Sequence, residues 1–461
     1  MKKISRIAQT IIASLIPMLA AQTGYAADVS DLGKSLTWFG AEAGANADGS
    51  IPAYEGGLPF KAPAGTERYE DPFAADKPLY TVTAQNAAQY AELLAPGTLE
   101  MLKRFPTYSI NVYPTRRSMQ YPEWYLENTR KNVGTARLEG KSEGDRIAGA
   151  AEDGLPFQGL PFPVPKTGYE VMWNSFLRYA PPITRLHGTS WLVDGSGKRN
   201  PLPGVDGSYL HPWSEKTGKL RSRTYDAYWG FHTTLYSPAT SAGTQFLNYY
   251  IPDAAAPAPI WIYTPGQRRV RKAPEFAYDI PMAAYAGVLL WDEPWGFAGR
   301  MDRFDFKLVG KKEMIVPYNT YALTNNTTSE EALGEQHLKP ETIRWEKRRV
   351  WIVESSRKAD ARHAYSKRTF QIEEDCWCIV GTESYDNGGA LWRVQSVFNF
   401  PAFDVGGMNH DAFVVNDLLK GNYVVINVGT KDSGNYIRSY ESMDDLTLRL
   451  TPQAMAGGSV R

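Results

Sequence analysis

The chain is 461 residues long, with 50 basic and 50 acidic side chains and no formal net charge at neutral pH. A balance this even argues against nucleic acid as the partner, because a phosphate backbone recruits a basic surface. The length suits two or three ordinary domains or one large sheet protein.

The first element is a secretory signal, residues 1–26. Lys2, Lys3 and Arg6 precede an apolar stretch from Ile7 to Ala21, and Gly24-Tyr25-Ala26 supplies the small residues of a cleavage site. Gln9 and Pro17 interrupt the stretch, which falls short of the roughly 20 residues a bilayer requires, so cleavage after Ala26 is expected rather than a retained anchor. No cysteine lies near that site to accept a lipid, and later apolar runs such as Ala284 to Trp291 are too short to span. The expected product is a soluble periplasmic protein of a Gram-negative cell, with no transmembrane segment once the signal is removed.

Residues 27–80 are rich in Gly, Ala and Pro, with turn signals at Asp48-Gly49 and Gly56-Gly57, and read as an extended N-terminal segment that wraps a body. Residues 81–181 read as a helical lid region. Ala87, Tyr90, Leu93 and Leu94 share one helical face before Pro96-Gly97 breaks it, and further helices follow after Pro96 and from Pro122 to Lys131. The third helix is announced by the capping box Thr167-Gly168-Tyr169-Glu170 and stopped by Pro181-Pro182.

Residues 182–451 read as antiparallel sheet, with hairpin turns at Asp194 to Gly197, Pro265-Gly266 and Asp386 to Gly389, and residues 452–461 as a flexible tail. Along Arg303 to Leu308 the even positions are apolar and the odd ones charged, which predicts one buried face and one wet face. The same parity in Phe370, Ile372, Cys376, Cys378, Val380, Trp392, Val394, Phe398 and Phe400 predicts one continuous inner face. With 13 Trp, 27 Tyr and 18 Phe in the chain, that face is either a packed aromatic core or the wall of a ligand cavity. The candidate cavity residues are Trp261, Tyr263, Phe304, Phe306, Phe370, Trp392 and Phe398.

Local signals for chemistry are absent. Histidines 187, 211, 232, 337, 363 and 410 form no metal-binding spacing, and no nucleophile elbow, Walker loop or dinucleotide fingerprint occurs, so neither a metal nor a cofactor is expected and no catalytic residue is assigned. Glu373-Glu374-Asp375 reads as a solvated turn, and Asn46 to Ser50 as a turn that lacks the Glu of a calcium loop. Cys376 and Cys378 flank Trp377 in what reads as an extended strand, too far apart there for an unstrained disulfide; they are either a labile redox pair or two small residues packed inside. Two basic clusters, Arg268-Arg269-Val270-Arg271-Lys272 and Lys347-Arg348-Arg349, are either the mouth of a cavity facing anionic headgroups or an acidic partner, or solvated strand faces with cross-strand partners such as Glu346 and Glu354.

Particular strings carry more. Leu36-Thr37, Phe39-Gly40-Ala41-Glu42, Asp48-Gly49, Ile51-Pro52-Ala53 and Gly56-Gly57 are followed by Val112 to Arg117, Pro161 to Gly168, Trp261 to Arg271, Gly310 to Met314, Pro317-Tyr318-Asn319, Arg349-Val350-Trp351 and Leu391-Trp392-Arg393. Over nearly the whole mature chain these resemble domain-of-unknown-function family 1329. Trp38 stands where the family often has Pro, and Lys347 departs from its usual string, but neither disturbs a turn or a predicted core face.

The resemblance implies a mainly β protein, similar to outer-membrane lipoprotein-sorting proteins: a large, curved, unclosed barrel-like antiparallel sheet with helices over its mouth. It also implies service to an RND-type inner-membrane exporter and an outer-membrane channel. The expected function is therefore a periplasmic carrier or binding protein for a lipid, lipoprotein acyl chain or other hydrophobic molecule. Its alternatives are a non-enzymatic adaptor bridging exporter and channel, and an enzyme with a non-local active site.

Overall fold

The computed structural model describes residues 27–457 apart from 62–67, 141–143, 254–255, 257, 274–275, 286 and 443–449. The expected signal and the last four residues lie outside the described residues. The strands are β1 (Tyr80–Val82), β2 (Ile110–Tyr113), β3 (Arg137–Glu139), β4 (Arg146–Ala148), β5 (Ile183–Val193), β6 (Arg199–Leu210), β7 (Trp229–Leu235), β8 (Gln245–Tyr250) and β9 (Ile260–Thr264). They continue with β10 (Arg269–Lys272), β11 (Phe304–Pro317), β12 (Trp345–Arg357), β13 (Lys367–Glu373), β14 (Ile379–Tyr385), β15 (Leu391–Pro401), β16 (Met408–Asp417), β17 (Asn422–Val428) and β18 (Tyr436–Tyr440). The main helices are α1 (Pro96–Arg104), α2 (Glu123–Asn132) and α3 (Gly168–Phe176).

Among the described residues, sixteen strands form one sheet. β11 pairs with β12, and β13 to β17 follow in order; β17 pairs with β5, from which β6 to β10 continue as a meander. β2 joins beside the start of β12 in a parallel pairing, Trp345 against Val112, and brings β1 with it, while β18 lies beside β5. The sheet is mixed by that one pairing and does not close: β10 and β11 stand at its ends.

Local chemistry explains the elements that sequence identified. The Thr167 side chain accepts from the Glu170 N–H and the Glu170 carboxylate accepts from the Thr167 N–H, so two of the orphan donors at the start of α3 are satisfied. The turns after Val193, Thr264 and Tyr385 join β5 to β6, β9 to β10 and β14 to β15, and Arg268 closes the second of them in a left-handed conformation.

Both faces of the sheet are covered. The inner face of β5 to β17 gathers around one large core that includes α3 and Tyr125 of α2. The outer face of β15 to β17 is covered by a second core, in which Leu94, Met101 and Leu102 pack with Val394, Phe398 and Val414. A third gathers Leu210 of β6, Leu247 and Tyr249 of β8 and Trp261 of β9 with Leu450 and Met455. The helices of residues 81–181 thus serve opposite faces: α1 lies outside and α3 inside. The tail is not frayed throughout, because Pro452–Met455 is a helical turn whose Met455 is buried against the sheet.

Candidate functional site

Between the inner face of β6 to β9, β16 and β17 and the segment 276–295 lies a cavity of about 230 Å³. A single buried water needs on the order of 10–15 Å³ by the same measure, so the space exceeds a packing defect. Its wall is apolar and aromatic, with Phe231, Leu235, Phe246 and Ile262 from the sheet facing Met282, Leu289 and Trp291 from the covering segment. The indole N–H groups of Trp291 and Trp295 on this wall are buried and have no hydrogen-bond partner among the described residues. Burial pushes the Tyr285 hydroxyl up to about 12, so the wall carries no charge there at neutral pH.

The covering segment folds back on itself through the bonds Met282 N–H to Leu289 O, Trp291 N–H to Ile280 O and Asp292 N–H to Tyr278 O. Buried ion pairs hold its end. Asp292 lies 2.9 Å from His363 Nε2 and accepts from Arg368 at 3.1 Å, while Arg393 donates to Glu293 at 2.5 Å. Burial alone would raise the Asp292 carboxyl, but the Arg368 guanidinium and His363 hold it below the ordinary carboxylate range.

The residues singled out from sequence fall elsewhere. Ile262 faces the cavity, so Trp261 and Tyr263 point to the opposite face, where they pack against the third core. Phe304, Phe306 and Phe370 are buried in solid packing, with ring centroids of Phe306 and Phe370 6.0 Å apart and Phe297 beside both. Phe398 belongs to the outer core, and Trp392 lies edge-on to Tyr365 at 5.3 Å. None of the seven lines the cavity.

The parity argument misplaces β15 because that strand is buried on both faces and carries a bulge between Phe398 and Phe400. Val397 and Phe400 therefore face inward while Val394 and Phe398 face outward. The wall residues that were missed had one legible signal, the alternation of Phe231, Thr233 and Leu235 along β7. Segment 276–295, which has no periodicity, had none.

The basic cluster lies on β10, one strand beyond the cavity-lining Ile262 of β9. Arg271 pairs with Ile262 and Arg269 with Thr264 across the β9–β10 ladder, which puts both arginines on the cavity face of the exposed end strand; Arg268 sits in the turn.

The other basic cluster and the acidic run are corrections. Glu373, Glu374 and Asp375 are buried rather than solvated, and they receive Arg348 and Arg349 together with Arg117 and Lys311. Arg348 donates to Glu373 at 2.6 Å and to Asp375 at 2.5 Å. Lys311 also bonds Glu42 at 2.6 Å and Lys347 bonds Asp48 at 2.9 Å, so the network ties the N-terminal segment to the sheet. Cys376 and Cys378 are joined as a disulfide: the segment is a tight turn with Trp377 left-handed, not an extended strand, and the Cα atoms are 5.1 Å apart. No group of three or more His, Cys, Asp or Glu among the described residues is arranged to hold a metal.

A family model described as "Protein of unknown function (DUF1329)" matches residues 81–456. An uncharacterized protein of Pseudomonas aeruginosa, PA3922, is 34% identical over 447 residues, 94% of each chain. Among solved structures, a domain provisionally described as outer membrane lipoprotein-sorting from Vibrio parahaemolyticus is similar at 12% identity and a TM-score of 0.42. A DUF1329 family protein from Desulfovibrio piger is similar at 15% and 0.41. A LolA superfamily protein of Nitrosomonas europaea is similar at 10% and 0.35. Each covers 62% of this chain, with 97%, 97% and 98% of its own length covered.

Proposed function

The chain belongs to the DUF1329 family, and from that premise we propose that it is an exported carrier that holds a hydrophobic molecule, such as a lipid or an acyl chain, in the cavity beneath segment 276–295. The observation that carries this reading is a cavity of about 230 Å³ walled by apolar and aromatic side chains. Burial of an apolar ligand there supplies affinity at roughly 25 cal/mol per Å² before ordering costs are subtracted. The open sheet end carrying Arg269 and Arg271 offers a cationic rim beside it.

Binding fits the site better than catalysis. The acidic run Glu373 to Asp375 is consumed in buried ion pairs. The signal-like pattern expected at residues 1–26 favours a periplasmic location, where exchange with an RND-type exporter or an outer-membrane channel would give the carrier its route. Among the described residues no helix is long and apolar enough to cross a membrane.

The test is mass spectrometry of an organic extract of the protein purified from its own envelope. A hydrophobic species recovered at close to one per chain is expected. No such species, together with no saturable uptake of added alkyl chains, would overturn the reading.

A further inference from the structure

Beyond the apolar chamber lies a smaller space of about 30 Å³, bordered by Tyr250 and Trp295, which also border the chamber. Its lining is partly polar: Trp229 of β7, Asn399 of β15 and His410 of β16 meet there with Trp295. The Trp229 and Trp295 rings stand edge to face with centroids 4.7 Å apart, and His410 lies 6.3 Å from Trp295. Trp229, Asn399 and His410 are all more than nine-tenths buried. Yet Trp229 Nε1, Trp295 Nε1, Asn399 Oδ1 and His410 Nδ1 have no hydrogen-bond partner among the described residues. Buried polar atoms in a finished core are almost always paired, so several around one niche mark a place for a polar group.

The roles of these atoms define that group. An indole N–H only donates. Asn399 Nδ2 is spent on the carbonyls of Ile379 at 3.3 Å and Val397 at 3.1 Å, which fixes the amide and leaves Oδ1 as an acceptor. A hydroxyl answers both indoles and the amide, because its oxygen accepts two hydrogen bonds and its proton donates one. An ionised carboxylate would meet Asn399 Oδ1 acceptor to acceptor, an ether has no proton to give it, and an ammonium would meet the indoles donor to donor. Arg178, which also borders the niche, already donates to the Ser175 carbonyl at 2.6 Å, and an uncharged head needs no counter-charge from it. A water needs on the order of 10–15 Å³ of such space, so about two oxygen-sized atoms fit. The second is a water's place against His410 Nδ1, since burial keeps that ring neutral and a neutral ring nitrogen takes either role with its tautomer.

We propose that the niche receives the hydroxyl of an uncharged, otherwise apolar alcohol whose hydrocarbon body fills the chamber; the proposal rests on the carrier reading and names its ligand class. The experiment measures 1-decanol, 1-fluorodecane and decanoate at pH 8 by displacement of a fluorescent alkyl probe from the full chain. Fluorine is close to a hydroxyl in size but carries no proton, and fluorodecane leaves water more readily, so an apolar cavity alone would favour it. Decanol is expected to bind at least tenfold more tightly than either of the others. Trp229 does not border the chamber, so Trp229→Phe should cut the preference over fluorodecane to below threefold while leaving fluorodecane affinity within twofold, which also shows that the variant folds. Asn248→Leu removes another buried, unpartnered amide, one that does not border the niche, and should leave the preference intact.

Equal or tighter binding of fluorodecane to the natural chain would overturn the proposal, leaving a niche that holds only water. Tighter binding of decanoate would overturn it in favour of an anionic head. A preference that survives Trp229→Phe, or is lost in Asn248→Leu, would place the hydroxyl elsewhere and equally overturn it. Binding of all three without preference for the alcohol leaves the carrier reading standing; binding of none removes both.

Discussion

Arg117, just after β2, grips Asp375 with both arms of its guanidinium, 3.0 and 2.6 Å from the two carboxylate oxygens, across 258 residues of sequence. Both side chains are buried, so the pair is exchanged not for water but for an uncompensated charge when one member is lost. Arg117→Met should destabilise the chain by about 3–5 kcal/mol in urea titration. Arg117→Lys should recover only part of that, because an ammonium cannot make the two-armed contact. A loss under 1 kcal/mol for Arg117→Met would show that the network is not holding the N-terminal segment in place.

Acid should weaken the fold through His211 and His410. Burial drives His211 down to about 3 and His410 well below its ordinary value, so the folded state refuses protons that the unfolded chain accepts near pH 6.5. Their depressed values mean stability present above pH 6.5 and lost as pH falls toward 3, by about 1.4 kcal/mol per pH unit for each histidine. Burial raises the Glu373 carboxyl and gives an opposite slope over the same range, so the test is the difference: between pH 6 and 5 His211→Phe should lower the slope by about 1.4 kcal/mol per pH unit, and an unchanged slope would contradict the burial of that ring.

The cover of the chamber should depend on its anchor. Asp292→Asn leaves Arg368 and His363 facing a neutral amide in a buried site. Hydrogen exchange in residues 278–292 should accelerate at least tenfold while β12 and β13 keep their protection. Uniform acceleration throughout the sheet would make Asp292 a support of the whole fold rather than of the cover.

Wall and outside should separate cleanly in binding. Ala284→Phe places a ring in the chamber and should abolish uptake of an alkyl chain, whereas Trp261→Leu and Tyr263→Leu, on the far side of β9, should leave it within twofold. Loss of uptake in the β9 variants alone would put the ligand on the other face of the sheet.

Much of the architecture was legible in the chain, for local reasons. The capping box at Thr167 and Glu170 and the turns at Asp194, Pro265 and Asp386 specify geometry with neighbouring residues alone, and the structure forms them as read. The site was much less legible. Phe398 obeys the alternation that suggested an inner position, but in a strand covered on both faces alternation says only that two faces exist. Glu373 to Asp375 read as solvated because their partners, Arg117 and Lys311, are remote in sequence. Segment 276–295 closes the chamber through turns and one buried anchor, which leave no periodic trace.

The most direct test of the central claim is a titration of tryptophan emission with dodecanoic acid brominated near the end of its chain, since bromine quenches indoles on contact and Trp291 and Trp295 form the chamber wall. The account predicts saturable quenching that ends at one ligand per chain and disappears in Ala284→Phe. Quenching that rises without saturation, or that Ala284→Phe leaves unchanged, would contradict it.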